Sequence, residues 1–103
     1  MKSMQFAITA LDHKDSEALE RRMSKRPQHV DGLKKLAKNN QLHSAGAILN
    51  DDGTMIGSSV HVSFESRDEL DAWLKDEAYI TGDVWNDIDI KQINMISIDA
   101  LKE

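Results

Sequence analysis

Apolar residues recur at every second position near the start of the chain. Met4, Phe6, Ile8 and Ala10 alternate with Gln5, Ala7 and Thr9, the period of a strand with one covered face. From Ser16 to Met23 the spacing of Ala18, Leu19, Arg22 and Met23 predicts a short helix. Arg26-Pro27 follows, and proline suits a first helical position, where its φ is already helical and its missing N–H would be unpaired anyway. A second helical piece is therefore predicted from Pro27 to about Asn39, with Val30, Leu33 and Ala37 on one stripe and Asn39-Asn40-Gln41 as its stop. His29 falls in its opening turn, with Leu33 and Leu36 at i+4 and i+7, so its ring borders the buried stripe.

Leu42 to Leu49 is small and apolar, a second strand, and Gly46 inside it marks either a bulge or a close approach by a ligand or backbone. Asn50-Asp51-Asp52-Gly53 is a reversal signal, because Asp and Gly tolerate the positive φ of tight hairpins. Met55 to Glu65 returns as a strand with Val60, Val62 and Phe64 on one face and Ser59, His61 and Ser63 on the other. Ser66-Arg67-Asp68-Glu69 is a capping box, and it opens a helix whose Leu70, Trp73 and Leu74 form a buried stripe ending near Asp76. From Asp87 to Ile98 apolar residues fall in both phases: Ile88 and Ile90, then Ile93 and Met95, then Ile96 and Ile98. A strand apolar on both sides is usually covered on both. One helix layer covers one face of a four-stranded sheet, so a second copy of the chain is the expected cover for the other, as a homodimer. The order β-α-β-β-α-β is the ferredoxin-like split βαβ pattern, an α+β fold on a four-stranded antiparallel sheet. A length of 103 residues makes one domain, 1–103.

Charge and composition narrow the function. The net charge of −5 argues against a nucleic-acid partner, which needs clustered Lys and Arg to neutralise phosphates. Arg21, Arg22, Lys25 and Arg26 are the local exception, either a solvated helix end or an anion-attracting rim beside His29. No apolar run is long enough to span a membrane and no cleavable leader is visible, so the default expectation is a cytoplasmic protein. With no cysteine, disulfides, thiolate catalysis and cysteine-based metal sites drop out. His13, His29, His43 and His61 show no paired ligand spacing, so neither a metal nor another cofactor is expected.

His29 alone has two readings, a structural histidine bonded to a nearby carbonyl or an acid–base group facing a partner in a cleft. A partner comes from a resemblance. Arg26-Pro27-x-His29-x-x-x-Leu33, Ala45-Gly46-Ala47, the run from Asp51 to Ser58, and Asp76-x-x-Tyr79 together resemble the YciI-like (YCII-related) family over nearly the whole chain. That resemblance implies a ferredoxin-like fold, dimerisation as an α/β barrel, and a His-Asp pair in a cleft as the candidate active site, carried over as His29 and Asp76. Where the family usually has proline after the aspartate this chain has Glu77, and where it often has proline after the glycine it has Ala47. Some relatives are associated with dehydrochlorination of hydroxylated rings.

The expectation is therefore a small-molecule enzyme of lyase or hydrolase class. His29 would be its general acid or base, Arg26 would hold an anionic group of a small anionic or aromatic ligand, Gly46 would leave room, Tyr79 would wall the pocket, and Ser58 or Ser44 would add a hydroxyl. The rival expectation is a non-catalytic dimeric module binding a metabolite or protein partner through the same cleft. Tyr79 and Trp85 read as core filling or as ligand-stacking rings, and His61 as a sheet-surface residue or the next candidate for the site.

Overall fold

In the computed structural model, which describes residues 3–103, the chain runs β1 (Met4–Asp12), α1 (Ala18–Lys38), β2 (Leu42–Leu49), β3 (Met55–Phe64), α2 (Arg67–Asp76), α3 (Ala78–Thr81), β4 (Trp85–Ile93) and α4 (Ile98–Leu101). The four strands form one antiparallel sheet in the order β2-β3-β1-β4, the ferredoxin-like arrangement. Register puts Ile8 opposite both Val60 and Ile90, and Phe6 opposite Val62. These positions face the helices, and Phe6, Ile8, Val60, Val62 and Phe64 pack with Leu36 of α1 and Leu70 of α2 as the main core. Ala10, Tyr79, Val84 and Trp85 make a second, smaller cluster at the other end of β1.

The local signals explain the boundaries. Ser66 caps α2 by accepting from the Glu69 N–H at 3.1 Å, while Glu69 reaches back to the Glu65 N–H at 3.2 Å. Gly53 takes φ 86 in the hairpin, a conformation few side chains permit. Just past the end of α1, Asn40 takes φ 58, with the Gln41 N–H returning to the Leu36 carbonyl at 2.8 Å.

Three expectations are corrected. The two helical pieces are one helix, and Pro27 lies inside it, not at its start. Pro27 is exposed, and on that side of a helix water can serve the carbonyl freed by the missing N–H. His29 consequently sits in mid-helix, away from the helix N-terminus. The final strand stops at Ile93, not Ile98. Its last ladder pair is Gln5 with Ile93, β1 starts only one residue beyond, and the Met95 N–H bonds to the Gln5 side-chain oxygen at 2.6 Å instead. Nor is that strand evenly apolar on both faces: Ile88 and Ile90 face the helices with Ala10 and Ile8, while on the other side Asp87, Asp89 and Lys91 lie opposite Leu11, Thr9 and Ala7, with Ile93 the apolar member of that phase, opposite Gln5. That second face also carries Ser59 and His61, while α1, α2 and α3 all pack on the opposite one. Beyond it Ile96, Ile98 and Leu101 are all more than half exposed. Among the described residues no helix is long and apolar enough to cross a membrane.

Candidate functional site

Arg22, Arg26 and His29 stand at i, i+4 and i+7 on α1, one face of a helix. They line a hollow of about 120 Å³ with Gly46 of β2, Ser58 of β3 and Tyr79 of α3. Val30, Leu33, Ala45, Ala47, Met55 and Val60 add apolar wall. The second strand has no bulge at Gly46; this glycine is opposite Ser59, so a side chain there would stand in open space on the sheet face away from the helices, and Gly46 meets the hollow through its backbone without making room in it.

His29 is buried, and its Nδ1 is bonded to the Oε1 of Glu77, also buried. Glu77 has extended backbone between α2 and α3, so it interrupts the helical run and turns its side chain inward toward α1. Its second oxygen accepts the Tyr79 backbone N–H at 2.6 Å. Both carboxylate oxygens are thereby fixed, one by the main chain and one by the imidazole. The Tyr79 ring stacks on His29 with centroids 3.9 Å apart, and Trp85 meets the imidazole edge-on at 6.0 Å.

The expected pairing of His29 with Asp76 is not formed. Asp76 is the last residue of α2, exposed, and lines a different hollow of about 510 Å³ between α1 and α2, with Gln28, Lys35, Trp73 and Glu77. If Glu77 is taken as the family's acid, its following proline corresponds to Ala78. That is the first residue of α3, the helical position where proline is best tolerated.

Behind the hollow lies a network that sequence reasoning missed. Arg22, assigned to a solvated or rim cluster, is buried, and its Nη1 donates to both oxygens of buried Asp12 at 3.1 Å. Its Nη2 donates to Ser58 Oγ at 2.9 Å, and Trp85 Nε1 donates to the same oxygen at 3.1 Å. The guanidinium carbon lies 4.8 Å from the centre of the Tyr79 ring, and Nε has no partner. Burial pushes the Asp12 carboxyl above its usual range, with Arg22 pulling it back. Burial likewise pushes the Tyr79 phenol up, against the charges of Arg22 and Arg26. A signal for the network was available: Asp12 continues the buried phase of Met4, Phe6, Ile8 and Ala10, and a charge in that phase needs a buried cation. Gly57 fixes Ser58 beside it, since a Cβ at Gly57 would lie 2.3 Å from the Ala10 carbonyl oxygen and push β3 off β1.

The remaining candidates lie apart. His61 is opposite Ala7 on the sheet face away from the helices, and Ser44 is exposed. His13 bonds Asp83 at 3.0 Å, and His43 bonds Ser63. Among the described residues no group of three or more histidines and acids is placed to hold a metal ion.

Comparison with known proteins places this geometry in context. The YCII-related domain matches residues 4–94. Protein YciI from Escherichia coli O6:H1 and from Shigella flexneri are each 32% identical over 99 residues, covering 90% of this chain and 99% of theirs. Among solved structures, 5-chloro-2-hydroxyhydroquinone dehydrochlorinase (TftG) from Burkholderia phenoliruptrix AC1100, in complex with 2,5-dihydroxybenzoquinone, superposes with a TM-score of 0.77 at 21% identity, over 88% of this chain and 94% of that one. A dimeric ferredoxin-like protein from Jannaschia sp. CCS1 gives 0.52 at 15% identity, over 89% and 99%.

Proposed function

The chain belongs to the YCII-related domain family, and on that premise we propose that it is a small-molecule enzyme using His29 as general acid or base, with Glu77 as the carboxylate that holds it. The observation that carries this reading is the fixed Glu77 side chain. With one oxygen on the Tyr79 N–H and the other on His29 Nδ1, it sets the imidazole tautomer and leaves Nε2 as the nitrogen that exchanges a proton. Arg26 is exposed at the mouth of the hollow, where its guanidinium attracts an anionic ligand, and the Tyr79 ring supplies an aromatic wall.

The reaction favoured is a dehydrochlorination, in which His29 takes a proton from a hydroxylated chlorinated ring as the carbon–chlorine bond breaks and chloride leaves. Its support is the fold likeness to TftG together with His29 in the cleft and Glu77 bonded behind it. The working form is a homodimer joined through the uncovered sheet face as an α/β barrel, supported by the dimeric ferredoxin-like neighbours. Chloride release from 5-chloro-2-hydroxyhydroquinone tests the reading. Turnover by the native protein should fall roughly 10²-fold or more in His29→Ala. Tight binding of the compound without turnover would instead mark a non-catalytic binding module, and full turnover by His29→Ala would move the chemistry elsewhere.

A further inference from the structure

The hydroxyl of Ser58 has its hydrogen bonds in an unusual balance. A serine oxygen has two lone pairs and one proton. Here Arg22 Nη2 and Trp85 Nε1 donate to that oxygen at 2.9 and 3.1 Å, which occupies both lone pairs. No acceptor among the described residues takes the remaining proton, although Ser58 is only 2% exposed and lines the same hollow as His29. Arg22 is in a similar state, 3% exposed with its Nε unpartnered. The hollow is thus backed by two buried groups with hydrogen-bond donors to spare. A buried donor without an acceptor is costly, so a ligand oxygen that meets one gains the difference.

We infer that Ser58 is a ligand-binding donor whose proton is aimed at an anionic oxygen of the bound molecule, with Arg22 as the positive charge behind it. Two N–H donors on Oγ, one of them from a guanidinium, polarise the O–H bond and make it a stronger donor than a free serine. The same two bonds withdraw charge from the oxygen, so Ser58 is suited to donate and poorly suited to attack as a nucleophile. The volume of about 120 Å³ limits the part of the ligand held there to about one ring, since an engineered cavity of about 150 Å³ accepts benzene. The class of ligand is a planar, delocalised oxyanion, a ring enolate or phenolate or a ring carboxylate. This inference rests on the hollow being the ligand site proposed above, and it adds the residue that selects for negative charge on oxygen.

Binding of two colourable probes separates the sources: 2,5-dihydroxybenzoquinone for the ring oxyanion and 2,5-dihydroxybenzoate for the carboxylate, with 2,5-dimethoxybenzoquinone as the uncharged control. The native protein should bind at least one of the two acids and prefer it to the control. Ser58→Cys keeps the size and a weak acceptor for Arg22 and Trp85 but donates poorly. It should bind that acid roughly tenfold more weakly, with little change for the control. Ser58→Thr, which keeps the hydroxyl, should restore binding. The carbonyl stretch of the bound acid should lie lower in the native and threonine proteins than in the cysteine variant, a shift that a merely structural serine would not produce. Equal affinity and an unshifted stretch in Ser58→Cys would overturn the role of Ser58 while leaving the acid–base reading of His29 intact. Failure of the native protein to bind either acid would overturn both.

Discussion

The rings of His29 and Tyr79 lie face to face, 3.9 Å apart and 13° from parallel, although the residues are brought together from different helices. The stack fixes the imidazole plane, and the carboxylate of Glu77 fixes its rotation within that plane. Tyr79→Phe preserves the ring and should preserve turnover. Tyr79→Ala empties a fully buried site and should cost about 3 to 5 kcal/mol in a denaturant melt. The phenol also predicts a pH dependence. Burial raises it above its usual value of 10.0, so above that pH the folded state keeps a proton that the unfolded state has lost. Stability therefore falls as pH rises through the folded value, and Tyr79→Phe should flatten that alkaline loss.

Glu77 and Asp76 are neighbours with opposite surroundings, one buried against His29 and one exposed. Glu77→Gln keeps an acceptor for the Tyr79 N–H and should leave the protein folded while turnover drops roughly 10²-fold. Asp76→Asn should stay within a few-fold of native. Combining His29→Ala with Glu77→Gln should be scarcely worse than the more damaging single change, because either one already disables the pair. Loss of turnover in Asp76→Asn with native activity in Glu77→Gln would reverse the assignment.

Arg22 is held between Asp12, Ser58 and the Tyr79 ring. Arg22→Met leaves the Asp12 carboxylate buried without its cation and should destabilise the protein by about 3 to 5 kcal/mol. Adding Asp12→Asn removes that stranded charge, so the double variant should melt above the single one. A double variant less stable than Arg22→Met would show that the pair is not the unit.

At the start of α1, Arg21 donates two hydrogen bonds to Asp15, at 3.0 and 2.9 Å, and holds its carboxyl down from 3.8 to about 2. A depressed acid contributes stability that is present above its unfolded value and is lost as pH falls through the folded one. Melting temperatures between pH 4 and pH 2 should therefore fall less steeply in Asp15→Asn than in the native protein, an acid-side effect opposite in sense to that of Tyr79.

The proposed homodimer has a direct measurement. Light scattering at micromolar concentration should give close to twice 11.6 kDa, and joining the uncovered sheet faces should bury at least about 1,200 Å² in total. A stable folded monomer there would refute the dimer and the barrel with it.

The first three strands, the hairpin and the capped start of α2 were legible in the chain because each depends on neighbours a few residues away: the alternation from Met4 to Ala10, the Asn50-to-Gly53 reversal, and Ser66 with Glu69. The order of these elements then specifies the ferredoxin-like sheet. The same local logic misplaced Pro27, since its preference for a helix start is modest beside the packing of Arg22, His29 and Leu36 along one continuous face of α1. It also stopped one residue short of the carboxylate. Asp76 and Glu77 are both acids near a helix end, and which of them faces inward depends on the extended backbone at Glu77 and on the contact it makes with a helix 48 residues away in sequence. Arg22, Asp12, Ser58 and Trp85 meet from four separate elements, and only the packed sheet and helices bring their donors onto one serine oxygen. Periodicity reports which face a residue takes; the partner across the core is decided by long-range packing, which no local pattern carries.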